Sequence, residues 1–231
     1  MAIFLIAINY LRTQWLALLI MTVYLFGIAG LFTLNQQRPE VLFFLRSQPL
    51  YVVFLCLMLA LPAIQTDRKS RRIIALLSKG IHRWQYLGGI LCGCSFAAFL
   101  FSLLIWATAC LLCIRGGYPT SGLAILSIAL CACGIAAASA GLLYSTFLHP
   151  LLATAASSIT VLLPFLMRNT GFHGPRVLFP VSWLVEFVVE YRFGETSGLV
   201  TIAVAAVVLS CVFWIVAAAV FSRRDVTVSP E

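Results

Sequence analysis

Long apolar blocks separated by short polar connections form the main pattern along this chain of 231 residues. A helix needs about 20 apolar residues to cross the hydrocarbon core of a bilayer. Five blocks reach that length, and a sixth falls short and is expected to borrow length from the apolar residues 41–45 or from the Gln48-Pro49 entry. The pattern predicts an all-α integral membrane protein, a single transmembrane domain whose six helices lie at about 16–34, 50–64, 87–114, 122–148, 151–167 and 198–221.

Composition agrees with a membrane protein, because 62% of the residues are hydrophobic and only 10% are charged. Soluble domains are about 45–50% apolar and roughly 25% charged. This difference excludes a soluble enzyme, a secreted disulfide scaffold and a disordered regulator. All eight cysteines lie in apolar blocks, which favours core packing over disulfides or a zinc site. Cys110 and Cys113 have the spacing of a metal or redox pair, but no His, Asp or Glu lies beside them.

Basic residues decide the orientation that is predicted for these spans. One side would carry Arg12, Arg223, Arg224 and the six Lys/Arg between residues 68 and 83, and the other side would carry the six remaining arginines. Cytoplasmic loops are enriched in Lys and Arg close to the helix ends. We therefore expect both termini in the cytoplasm and multi-pass insertion in the cytoplasmic (inner) membrane. The net charge of +8 then has a membrane explanation, and no nucleic-acid partner is expected.

Two further apolar segments are too short to span a bilayer. Residues 2–14 mix apolar and polar positions and include Arg12, which suits a helix lying at the cytoplasmic interface. Residues 181–189 are apolar and lie between Pro180 and Glu190, in the longest loop of the outer side. They predict a re-entrant or interfacial segment before the last span.

The connection between the second and third predicted spans holds the strongest local signal. Asp67 can cap a helix N-terminus, apolar residues recur behind it at helical spacing, and Gly80 is placed to end the helix. These features predict an amphipathic helix at 67–79 on the cytoplasmic surface. It could fix orientation and contact anionic lipid, or it could dock a cytoplasmic protein, and the regular spacing of Ile and Leu favours docking. The candidate docking residues are Asp67, Arg68, Arg71, Arg72, Ile73, Leu76, Leu77 and Arg83.

The chain lacks the signatures of an enzyme. It has no G-x-x-x-x-G-K-[ST] phosphate loop, so it cannot hydrolyse ATP alone, and its three histidines are dispersed. Glu186 and Glu190 are better explained as a polar edge of the outer segment than as a metal or substrate site. No charged residue lies in the middle of a span, which argues against an ion-coupled transporter or channel. In the small-residue run at 131–141, Gly134 and Gly141 share a helix face and predict close helix packing.

Several short motifs, taken in order, resemble the membrane subunits of ABC-2 type transporters. They are Asp67-Arg68, the LLS of Leu76 to Ser78, Arg83-Trp84-x-Tyr86-Leu87 before Gly88, and Phe221-x-Arg223-Arg224-Asp225. Gly80 stands where relatives commonly carry proline, and Gly89 stands where a lysine often follows the glycine. The resemblance implies the permease half of an ATP-driven exporter, with the helix at 67–79 as its coupling helix.

The same resemblance implies the partners. Two copies of a separate cytoplasmic ATPase would bind ATP and Mg and dock on residues 66–83, and a second permease subunit, identical or closely related, would complete the complex. The chain itself would hold no cofactor or metal, and membrane lipids would surround it. An alternative from another class is a membrane scaffold or assembly factor that recruits a cytoplasmic protein without transport. The haem-export component of cytochrome c maturation has a similar length and six spans, but too little local sequence is shared to support that assignment.

Overall fold

The computed structural model describes residues 2–34, 38–69, 73, 78, 80–116, 120–166, 179–190 and 195–223. Within these ranges the regular secondary structure is helical and includes no strand, which confirms the all-α class for this part of the chain. Its helices are α1 (Ala2–Thr13), α2 (Trp15–Leu34), α3 (Arg38–Lys69), α4 (Arg83–Gly116), α5 (Leu123–Phe147), α6 (Pro150–Leu166), α7 (Pro180–Val189) and α8 (Thr196–Arg223).

Four of these helices are long and apolar enough to cross a membrane. They are the Ser47–Asp67 part of α3, the Arg83–Ile114 part of α4, and the whole of α5 and α8. The number becomes five if α1 and the Leu18–Tyr24 part of α2, which meet at an angle of 66°, form one bent span. The predicted first and fifth spans coincide with the helices α2 and α6. The full number of six spans stays a prediction.

Helix α3 is longer than the span predicted at 50–64 and runs through Pro49 and Pro62. Each proline removes one backbone hydrogen bond and crowds the preceding turn. Packing offsets this cost, because residues on both sides of Pro49 are buried in the bundle core, among them Leu45 before it and Val52 after it. The upstream extension that the sequence predicted is therefore present, and it is longer than the apolar pattern indicated.

Asp67 lies in the last turn of α3 and does not begin a new helix. Apart from residues 67–69, which belong to α3, and residues 73 and 78, the predicted coupling helix lies outside the described residues. Gly80 has a φ of 77°, a left-handed conformation that glycine adopts without steric cost. Gly80 was predicted to end the coupling helix, and both the helix and its end stay predictions.

Helix α5 lies at the centre of the bundle, in contact with α3, α4 and α8. Its two glycines face α3. A Cβ atom added at Gly134 would lie 2.9 Å from both the Sγ atom of Cys56 and a methyl carbon of Val52, and one at Gly141 would lie 3.3 Å from a methyl carbon of Leu57. Small residues let helix backbones approach this closely. The close packing predicted from the small-residue run is therefore confirmed, and it occurs within the subunit.

The outward surface of the bundle is apolar along much of its length. Helix α8, for example, exposes Val204, Val208 and Ile215. Apolar patches larger than a few hundred Å² are rare on soluble monomers and mark protein or membrane contact. This surface suits lipid as the surrounding solvent.

Candidate functional site at one end of the bundle

Arg83 connects the start of α4 to the end of α8. Its Nη1 atom donates hydrogen bonds to the carbonyl oxygens of Phe221 and Ser222, at 2.9 and 3.0 Å. The last carbonyls of a helix have no partner within that helix and carry a partial negative charge. The guanidinium therefore caps α8 and connects two helix ends that lie 138 residues apart in the sequence.

Tyr86, one turn further along α4, connects this pair to α3. Its hydroxyl donates to Oδ2 of Asp67 at 2.8 Å, and its ring stacks on that of Phe221 with 6.1 Å between the centroids. The guanidinium carbon of Arg83 lies 6.0 Å from the centroid of the Phe221 ring, at the outer limit of a cation–π contact. Tyr86 is 1% exposed and Phe221 is fully buried. We call Asp67, Arg83, Tyr86 and Phe221 the end cluster.

Helix α1 lies at the same end of the bundle. The hydroxyl of Tyr10 donates to the carbonyl oxygen of Leu59 in α3 at 2.8 Å. Between α1, α3 and α4 there is a small cavity of about 20 Å³, which is enough for one water molecule. The polar residues that line it are Asn9, Tyr10, Thr13, Gln14, Thr66 and Asp67. The N-terminal helix, the connection after α3 and the end of α8 therefore share one end of the bundle.

Basic residues gather at this end. Arg12 lies in the last turn of α1 and Arg223 in the last turn of α8, and both are exposed. Together with Arg83 they make this end electropositive, which is typical of the cytoplasmic side of a membrane protein. The cytoplasmic position of this end stays a prediction.

The structure gives two of the predicted docking residues, Asp67 and Arg83, contacts within the chain. A third, Ile73, is 1% exposed, so its side chain is packed inside the molecule. The side chains of the other candidates lie outside the described residues: Arg68, Arg71, Arg72, Leu76 and Leu77. Docking at the candidate positions stays a prediction, and for Asp67, Arg83 and Ile73 it has to be compatible with these intramolecular contacts.

The sequence analysis assigned no role to the two aromatic members of the end cluster. Tyr86 lies three residues after Arg83 and hence on the same helix face, which was the available signal. Phe221 stood in one of the quoted motifs, but nothing in the sequence related it to Arg83, which lies 138 residues away along the chain.

Gly89 and Gly93 form a groove on α4 that receives α1. A Cβ atom added at Gly89 would lie 2.6 Å from Cβ of Ile6, and one at Gly93 would lie 2.6 Å from a ring carbon of Tyr10. Two glycines four residues apart allow this approach of the two backbones. A longer side chain at position 89 would displace α1 from this groove.

At the opposite end, α7 buries one face and keeps its carboxylates on another. Leu184 and Val188 are buried, whereas Glu186 is half-buried and Glu190 is exposed. This agrees with the polar edge predicted for the two glutamates. Across the described residues no group of three or more His, Cys, Asp or Glu could hold a metal ion, and the eight cysteines are free thiols.

These contacts place hydrogen-bonded polar residues where three helices that are long enough to span a membrane meet. The arrangement can transmit a displacement from one helix to another. Comparison with known proteins identifies no family, since no family model and no curated protein matches the chain.

Proposed function

We propose that this protein is the permease subunit of an ABC-2 type transporter, an exporter driven by a separate cytoplasmic ATPase that docks on residues 66–83. The observation that carries the proposal is the end cluster. The two ends of the docking segment, at Asp67 and Arg83, are hydrogen-bonded to α4 and α8, both of which are long enough to span a membrane. A protein bound to this segment is in a position to move those helices.

The proposed topology has six spans in the cytoplasmic (inner) membrane, with both termini in the cytoplasm. It is supported by the shared end of α1, the docking segment and α8, and by the basic residues there, Arg12, Arg83 and Arg223. An even number of spans brings the two termini to one side. The excess of Lys and Arg between residues 68 and 83 favours the cytoplasm as that side.

The proposed complex contains two permease subunits, identical or closely related, and two ATPase subunits that bind ATP and Mg. The absence of a phosphate loop from the sequence supports a separate ATPase chain. A pair of membrane subunits is proposed because one bundle of this size offers little surface for enclosing a route across the membrane. The cargo would then cross at or beside the interface between the two subunits.

Co-purification tests the proposal directly. A tagged protein isolated from its native membranes should bring down a protein that carries a phosphate loop, in equal number. Changing both Leu76 and Leu77 to Asp should abolish the co-purification, because each charge forced into an apolar groove costs several kcal/mol. The matched variant with Arg71 and Arg72 changed to Gln should lose much less, and mainly at raised salt, since exposed ion pairs contribute about 0–1 kcal/mol each and are screened.

The same experiment separates transport from scaffolding. A permease should change the ATP turnover of the captured ATPase when it is reconstituted in lipid. Capture of a cytoplasmic protein without a phosphate loop would support the scaffold alternative. Full retention of the ATPase by the double Asp variant would show that the Leu76 and Leu77 stripe is not the docking surface.

A further inference from the structure

We propose that Asp67 and Arg83 are positioning residues that lock the 67–83 segment to the ends of α3, α4 and α8, so that a force on the segment moves these three helices as one unit. The source of the force rests on the proposed function, whereas the lock itself rests on contacts within the chain. Asp67 and Arg83 would thus hold the segment in place and would not contact the partner protein themselves.

The first part of the lock joins the end of α3 to the start of α4. Asp67 belongs to the last turn of α3 and Tyr86 to the first turn of α4, and their hydrogen bond joins residues 19 apart. The ring of Tyr86 is buried, and the hydrogen bond itself is partly buried. Hydrogen bonds to a carboxylate are roughly twice as strong as bonds between neutral groups. The two ends of the segment are thereby held at a fixed separation.

The second part attaches the start of α4 to the end of α8. Arg83 donates to two consecutive backbone carbonyls at the end of α8, and the ring of Phe221 packs between Arg83 and Tyr86. A guanidinium presents several donors in a rigid plane, whereas a lysine ammonium is a point charge on a flexible stem. The site therefore favours arginine over lysine, and Arg83→Lys should restore only part of the lock.

A docking role and a positioning role make opposite predictions for Arg83. If Arg83 contacts the ATPase, removing its charge weakens ATPase binding and makes that binding more sensitive to salt. If it positions the segment, the ATPase stays bound and the movement of α8 is no longer coupled to the segment. Binding and transmission can be measured separately.

The first experiment uses the full-length protein alone, in lipid nanodiscs. Spin labels at Ser78, on the segment, and at Ala219, on α8, report the distribution of distances between the two in a cysteine-free background. Arg83→Gln and Tyr86→Phe should each widen this distribution at least twofold, and Arg83→Lys should widen it less. Arg223→Gln removes a charge from the same end without touching the lock and should leave the width unchanged. An unchanged width in both Arg83→Gln and Tyr86→Phe would overturn the proposal.

The second experiment uses the complex captured with the ATPase. Arg83→Gln should retain the ATPase in wild-type proportion, while the ATP-dependent change in distance between labels at Thr120 and Thr196 falls to half or less. Release of the ATPase by Arg83→Gln would overturn positioning in favour of docking. If the wild-type protein captures no ATPase, the proposed function fails, and the measurement on the protein alone still decides whether the segment is locked.

Discussion

At the scale of single residues, Gln48 is a buried amide whose nitrogen makes a hydrogen bond and whose oxygen does not. It is 1% exposed, and its Nε2 atom donates to the carbonyl oxygen of Phe44 at 3.0 Å. Its Oε1 atom has no partner among the described residues. The adjoining cavity of about 10 Å³ is at the lower limit for one water molecule. An unpaired buried acceptor costs about 1–3 kcal/mol, so this amide lowers the stability of the bundle unless something binds it.

Gln48→Met should leave the free energy of unfolding unchanged or raise it by up to about 2 kcal/mol, because methionine fills a similar volume without an unpaired oxygen. Gln85→Met is the contrasting variant. The Oε1 atom of Gln85 accepts from the backbone N–H of His82 at 3.1 Å and so caps the start of α4, and its loss should cost about 0.5–2 kcal/mol. Both values can be measured by denaturant unfolding in detergent. A clear destabilisation by Gln48→Met would show that the amide oxygen is paired in the folded protein.

At the scale of helices, the packing of α1 against α4 depends on the two glycines of α4, which have no side chains. The groove at Gly89 and Gly93 admits Ile6 and Tyr10, both of which are buried, while Phe4 on the other face of α1 is exposed. The amphipathic pattern predicted a helix at an interface, and the 66° angle between α1 and α2 is compatible with α1 lying along a membrane surface. The pattern could not predict which helix α1 would contact, because a glycine pair is also common inside spans that pack elsewhere.

Gly89→Ala should therefore destabilise the protein by about 1–3 kcal/mol, since even one added methyl group overlaps with Ile6 and the backbone has to move. Ile6→Ala in the same chain should recover part of this loss by vacating the overlapping volume. Gly27→Ala is the matched control, because an added Cβ atom there meets nothing within 4 Å. Unfolding midpoints of these three variants and of the wild-type protein in one detergent test the prediction. Equal midpoints for Gly89→Ala and Gly27→Ala would mean that α1 does not occupy the groove.

At the scale of the whole molecule, the apolar blocks predicted the positions of α4, α5 and α8 well, because a span must be long, apolar and helical at once. They underestimated α3, since Pro49 is a usual boundary residue and only packing in the bundle keeps the helix continuous through it. The end cluster was beyond sequence reasoning, because the bond from Arg83 to the end of α8 joins distant segments. Local periodicity predicts elements, and it carries no information on which helix ends meet.

The positions of the ends of α4 and α8 predict which residues are accessible from outside the cell. Helix α4 starts at the end cluster and has 34 residues, so its other end lies about 50 Å away, where α5 begins. Helix α8 ends at the cluster, and hence begins at that far end as well. With the cluster in the cytoplasm, a single cysteine at Thr120 or at Thr196 should react with a membrane-impermeant thiol reagent in intact cells. One at Ser78 should react only after permeabilisation. Labelling of Ser78 but not of Thr196 in intact cells would invert the orientation and remove the cytoplasmic ATPase from consideration.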